Sequence, residues 1–192
     1  MKRTMRAVLM VAVAMLLGST VSAQRAASRQ GGQAASTVRI GIGGGVLLPL
    51  SDYKTADKLG WLAGADVTYW LTGGMIGLRA EGSYSQTSHK APATTGNYKI
   101  FGGMADVVWA PGTSAESMRP YLLGGVGFYN VKESVSGVSS TKIGFGGGAG
   151  VAFKMGTGGT RIFVEGKFVY LKINGANFSQ IPIKAGVRFA TK

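Results

Sequence analysis

From residue 38 onward the chain alternates between apolar and polar or small residues with a period of two. It does so in eight separate segments: Val38 to Leu48, Trp61 to Leu71, Met75 to Ser85, Tyr98 to Trp109, Arg119 to Tyr129, Lys142 to Met155, Thr160 to Leu171 and Ser179 to Phe189. A period of two places successive side chains on opposite faces of a β-strand, and no helical stripe competes with it after residue 23. The segments are eleven to fourteen residues long. Strands of globular proteins usually run nearer five or six, whereas a tilted strand crossing a bilayer needs about 9–11. Length and period together predict an all-β fold, an eight-stranded antiparallel transmembrane up-and-down β-barrel over residues 38–190.

The composition of the two faces sharpens that expectation. In the third segment Ile76, Leu78, Ala80, Gly82 and Tyr84 oppose Gly77, Arg79, Glu81, Ser83 and Ser85; in the last, Ile181, Ile183, Ala185, Val187 and Phe189 oppose Pro182, Lys184, Gly186 and Arg188. Of eight acidic residues, Asp66, Glu81, Asp106 and Glu165 fall mid-strand on the polar face, with Arg39, Arg79, Lys142, Arg161, Lys167, Lys184 and Arg188. Asp52, Asp57, Glu116 and Glu133 fall in connections and are expected to be exposed. A soluble sandwich or lipocalin turns its apolar face inward; a membrane barrel turns it outward to lipid. Glycine, 32 residues in all, is concentrated on the polar face, as in Gly144, Gly146, Gly148 and Gly150. Long charged side chains packed inside a narrow cylinder need such empty positions opposite them. Bulges and strand bends are the other reading of those glycines. Connections alternate longer (Pro49 to Gly60, Gln86 to Asn97, Asn130 to Thr141, Lys172 to Phe178) with shorter (Thr72 to Gly74, Gly156 to Gly159), Ala110 to Met118 being the poorest fit. That rhythm predicts the longer set on the cell exterior. Aromatics near strand ends, including Trp61, Tyr69, Trp70, Tyr84, Tyr98, Phe101, Trp109, Tyr121, Tyr129, Phe153, Tyr170 and Phe189, suggest interfacial girdles.

The N-terminus reads as an export signal. Lys2, Arg3 and Arg6 precede an uncharged run from Ala7 to Leu17, and Val21-Ser22-Ala23 offers a small-x-small cleavage site. That run is too short to span a bilayer as a helix. Residues 1–23 are therefore expected to be removed as a signal peptide, leaving Gln24 to Thr37 as a disordered periplasmic tail. The formal charge of +13 falls to about +10 once the three signal cations leave. The cations are scattered singly, so nucleic acid is not an expected partner; anionic lipid headgroups and lipopolysaccharide are. No Cys is present, which removes a disulfide framework, an acylated anchor and most zinc sites.

Two segments resemble a known family. Arg119-Pro120-Tyr121-Leu122-Leu123-Gly124-Gly125-Val126-Gly127-Phe128-Tyr129 resembles a central strand, and Ile181-Pro182-Ile183-Lys184-Ala185-Gly186-Val187-Arg188-Phe189 the last strand, of the small outer-membrane β-barrels that include the OmpA membrane domain and OmpX. The resemblance spans Val38 to Phe189 and departs from the family in adding Ala190, Thr191 and Lys192 after the final aromatic. It implies an outer-membrane location in a Gram-negative-type cell and recognition of the C-terminal strand by the barrel-assembly machinery. No catalytic, cofactor or metal residue is assigned. Gly41-Ile42-Gly43-Gly44-Gly45 lacks the Gly-Lys and the helix of a nucleotide loop. His89, the single His, lies near Ser85, Thr87 and Ser88 with Glu81 a strand-length away, and reads as a solvated loop residue. Three functions follow in order: a non-catalytic structural, envelope-stabilising or adhesin-like interaction barrel; a narrow channel or small-ligand transporter; and a lipid-A-modifying enzyme built on His89.

Overall fold

The structure is a computed structural model that describes residues 37–50, 54, 57–71, 73–90, 96–134, 137, 139–173 and 176–191. The expected signal peptide and nearly all of the tail lie outside the described residues. Eight strands run in chain order: β1 (Val38–Leu50), β2 (Gly60–Trp70), β3 (Ile76–Ser88), β4 (Asn97–Trp109), β5 (Met118–Glu133), β6 (Ser139–Lys154), β7 (Arg161–Ile173) and β8 (Ala176–Ala190). Each pairs antiparallel with its sequence neighbours, and β8 closes on β1. All eight alternating segments are strands, so the period-two reading holds throughout.

The register fixes the shape of the cylinder. From Arg39, cross-strand partners run through Thr68, Arg79, Asp106, Gly125, Gly146, Val169 and Gln180 and return to β1 at Pro49, ten positions beyond the start. With eight strands spaced about 4.8 Å apart and rising about 3.3 Å per residue, that stagger tilts the strands by about 40°. The resulting interior is narrow enough for side chains to fill. One end, here called proximal, carries Val38, Ala190 and the turns at 71–75, 110–117 and 155–160. Gly73 and Gly74 adopt φ of 88° and 68° in the first of these turns, a region that favours residues without Cβ. The distal end carries the strand termini Leu50, Gly60, Ser88, Asn97, Glu133, Ser139, Ile173 and Ala176, which the remaining connections join.

Three sequence expectations are corrected. The loop-length rhythm is weaker than the residues suggest, because distal strands continue past their apolar segments. β5 and β6 each reach 16 residues. Polar side chains support that extension: Asn130 Nδ2 donates to Thr141 Oγ1 at 2.9 Å, and Ser139 Oγ to Asn130 Oδ1 at 3.1 Å. Second, Trp70, Tyr98, Tyr121 and Tyr129 do not join the girdles; they share strand parity with inward residues and pack inside. Trp61, Tyr69, Phe101, Trp109, Phe153 and Phe189 do face outward. Third, Asp57 is buried although its position in a connection predicted exposure. The chain folds back so that Asp57 bridges His89, and Lys58 N donates to Ser88 O at 2.8 Å. Glu116 is exposed as expected. Asp52 and the side chain of Glu133 lie outside the described residues.

The faces are assigned by burial. Ile42, Leu78, Val107, Val126 and Ile143 are exposed, whereas Arg39, Asp66, Arg79, Asp106, Arg161, Glu165, Lys167, Lys184 and Arg188 are buried. Arg119, which the sequence reading left off the polar face, is buried with them. The apolar face is thus outside, the inverted arrangement that lipid demands.

Candidate functional site

The interior is built in layers. The equatorial layer pairs four acids with four bases drawn from five strands. Glu165 of β7 is its hub. Its Oε2 accepts from Arg79 Nη1 at 2.6 Å, from Arg188 Nη2 at 3.1 Å and from the Tyr121 hydroxyl at 2.8 Å. Arg188 also donates from Nε to Asp66 Oδ1 at 3.0 Å and from Nη1 to Tyr121 at 3.0 Å, with its guanidinium 3.7 Å from the centre of the Phe163 ring. A second cluster joins the first: Lys167 Nζ reaches Glu81 Oε2 and Asp106 Oδ2, each at 2.8 Å, and Lys184 Nζ lies 3.1 Å from Glu81 Oε1. Burying one such charge alone is costly, and the network answers each with an opposite partner.

Glycines make these contacts sterically possible. Gly41 is the cross-strand partner of both Asp66 and Arg188, and those two side chains meet above it. A Cβ at Gly41 would come within 2.9 Å of Arg188 Cγ and of Asp66 Cγ. Gly150 plays the same part for Tyr121 and Glu165, its two lateral neighbours. Of the two roles open to the polar-face glycines, empty space opposite large side chains is therefore realised at these positions.

Distal to the charges lies an apolar layer of Leu47, Leu62, Ile100, Tyr129, Val131, Val169 and Leu171. Between the two layers a cavity of about 30 Å³ is lined by Glu81, Ser83, Ser85, Met104 and Lys184, among others. That is space for one or two water molecules. Lys184 Nζ and Gln180 Oε1 are buried there without an aligned hydrogen-bond partner, so ordered water suits the site. Side chains of the described residues occupy the interior in both layers.

The proximal layer is different. Arg39, Arg119 and Arg161 donate to backbone carbonyls of the turns rather than to carboxylates. Arg39 Nη1 reaches Gly159 O at 2.9 Å, Arg119 Nη2 reaches Gly74 O at 2.5 Å and Ala110 O at 2.8 Å, and Arg161 Nη2 reaches Ser114 O and Glu116 O, each at 2.8 Å.

At the distal rim His89 is not the solvated residue that its loop position suggests. Its Nδ1 lies 2.5 Å from Asp57 Oδ1, Thr87 Oγ1 donates to Asp57 Oδ2 at 2.6 Å, and the imidazole meets the Tyr98 ring edge-on at 4.8 Å. The cluster is a clasp between the 51–59 connection and the β3–β4 end. Glu81 is no part of it, being committed to Lys167 and Lys184. Sequence reasoning missed Asp57 because its partner is contiguous only after the connection folds back. No grouping of three or more His, Cys, Asp or Glu suited to a metal occurs among the described residues.

Solved structures place this architecture among known barrels. Neisserial surface protein A superposes with a TM-score of 0.64 at 17% identity, over 81% of this chain and 98% of that one. The attachment invasion locus protein Ail of Yersinia pestis gives 0.46 at 22% identity, over 80% and 97%, and the N-terminal β-barrel domain of Pseudomonas aeruginosa OprF gives 0.47 at 18%, over 79% and 96%. At these identities the likeness is one of fold, and the first superposition carries it. No curated protein matches the chain. The family model described as "Outer membrane protein beta-barrel domain" matches residues 11–189. With a closed eight-stranded cylinder, lipid-facing apolar residues and a charged interior, the chain belongs to the outer membrane protein β-barrel domain family.

Proposed function

We propose that this barrel is a non-catalytic envelope protein, a sealed post in the outer membrane whose distal rim is the working surface. The observation that carries the reading is the filled interior: an ion-paired layer beneath an apolar layer, with about 30 Å³ of free space between them. Such a cylinder does not serve as a conduit for solutes. The surfaces left to act are the lipid-facing belt and the distal connections, which face the cell exterior.

The partners that fit the rim are anionic: lipopolysaccharide phosphates and polyanionic surfaces. Lys54, Lys58, Lys99 and Lys132 are exposed at the distal end. Lys99 and Lys132 are direct cross-strand partners on the outward face. Like charges directly opposite each other destabilise a sheet, and a headgroup phosphate between them relieves that repulsion. Export relies on the segment that ends at Ala23, the tail from Gln24 to Thr37 lies in the periplasm, and β8 carries the signal for the barrel-assembly machinery.

Planar-bilayer conductance tests the sealed interior. The purified chain is expected to give no discrete current steps in molar salt; reproducible single-channel steps would replace this reading with transport. The enzymatic alternative predicts that His89→Ala abolishes a change in lipopolysaccharide acylation. Our reading predicts unchanged acylation and faster proteolysis within residues 51–59.

A further inference from the structure

The proximal mouth holds more buried positive charge than its surroundings answer. Arg39, Arg119 and Arg161 line one cavity of about 30 Å³ together with Trp70, Thr68, Tyr121 and Arg188. All three arginines are at least nine-tenths buried. Arg188 is matched by Asp66 and Glu165, but among the described residues no ion pair involves Arg39, Arg119 or Arg161. Each guanidinium carries five N–H donors, and Arg39 uses one of them, on Gly159 O. Two more donors lining this cavity, Arg119 Nε and Trp70 Nε1, are buried without any acceptor. The Arg119 guanidinium stacks 4.6 Å above the Trp70 ring, which holds both residues at the cavity wall.

We propose that this cavity is a binding site for a small monovalent anion of halide size. Three buried cations, offset only in part by the exposed Glu116 near Arg119 and Arg161, and at least two orphaned N–H donors call for an acceptor that carries negative charge. Water answers the donors but leaves the remaining positive charge uncompensated, and a buried uncompensated charge is strongly unfavourable. The free volume admits one or two water-sized guests, which suits a dehydrated halide and excludes a phosphate ester. Arg39, Arg119 and Arg161 bind carbonyls of three different turns: 155–160, 71–75 with 110–117, and 110–117 again. A bound anion draws those three side chains together and so fastens the proximal turns to one another.

The chain contains three tryptophans. In a Trp61→Phe, Trp109→Phe background in lipid vesicles, Trp70 alone reports on the site. Iodide, titrated against gluconate at constant ionic strength, is expected to quench Trp70 along a saturating curve, with acrylamide giving weak linear quenching. Arg39→Met is expected to raise the half-saturating iodide concentration at least tenfold. Linear iodide quenching, or a saturating curve unmoved by Arg39→Met, overturns the proposal. If Arg39→Met does not fold, the wild-type chain decides: replacing gluconate with bromide is expected to raise its unfolding midpoint, the reverse of bromide's general destabilising tendency. An unchanged or lowered midpoint overturns the site.

Discussion

At the equator of the barrel the charges are inside and the hydrocarbon side chains outside; in the distal β3–β6 hairpins that order is reversed. Glu165, Arg79, Asp66 and Arg188 fill the equator, while Leu78, Val107 and Val126 face away from it. Distally, Ile100 and Val131 point inward, and Lys99, Asn130, Lys132, Ser139 and Thr141 point outward. One strand, β5, makes both arrangements within its 16 residues. Strands of that length tilted by about 40° rise roughly 40 Å, beyond an apolar band about 25 Å tall. Side-chain polarity therefore follows the medium that each face meets. Where lipid is outside, the interior must accept the charges; where the hairpins leave the lipid, an ordinary apolar core returns.

The contrast is broken most severely at its hub. Glu165→Ala leaves Arg79 and Arg188 short of their shared acceptor and should cost about 3–5 kcal/mol, read by reversible urea unfolding in lipid vesicles. A loss no larger than that of the exposed Lys132→Ala would show that the equatorial charges are well hydrated and the two regions alike. Next comes Ile100→Ala, a truncation in the distal core that should cost about 2–5 kcal/mol by the same measurement if that layer is packed like a soluble interior. An unchanged midpoint would reduce the distal layer to a loose filling. Leu78→Arg tests the outside of the equator and should cost about 2–4 kcal/mol near the midplane, against little change when arginine replaces the outward Thr141. The smallest effect sharpens the distal face: Lys99→Glu turns a like-charge pair with Lys132 into an opposite one and should stabilise by about 0.2–1 kcal/mol. Raising the salt concentration should shrink that gain.

Much of this architecture is legible from side-chain type at alternate positions. Strand number and the membership of Asp66, Glu81, Asp106 and Glu165 in one face follow from parity alone, because parity is a local property. Choosing inside from outside needed the further observation that glycine gathers with the charges. Ion-pair partners were not legible: Arg79 and Glu165 are 86 residues apart on strands that are not neighbours, and only the closed cylinder brings them face to face. Arg119 was within reach, since it opens the fifth alternating segment and shares parity with the inward Tyr121 and Leu123. The Asp57–His89 clasp could not be read locally, because it depends on how a connection folds back. The distal extension of β5 and β6 was hidden by its own reversal, which breaks the apolar-out pattern that marked the strands.

Gly41 has a consequence for the order in which this protein comes together. Asp66 and Arg188 belong to the second and the last strands, and they clasp hands over the first. Neither can find the other until the two ends of the sheet have met. While the sheet is still an open, curling ribbon, the two charges stay apart, each with at most a partner on its own neighbouring strand. Shutting the seam dries them and joins them in one event. Reopening it must break the β1–β8 ladder and this bridge together. The bridge thus works as a latch that engages last, and it makes a half-zipped cylinder a poor resting place between the unfolded chain and the finished wall.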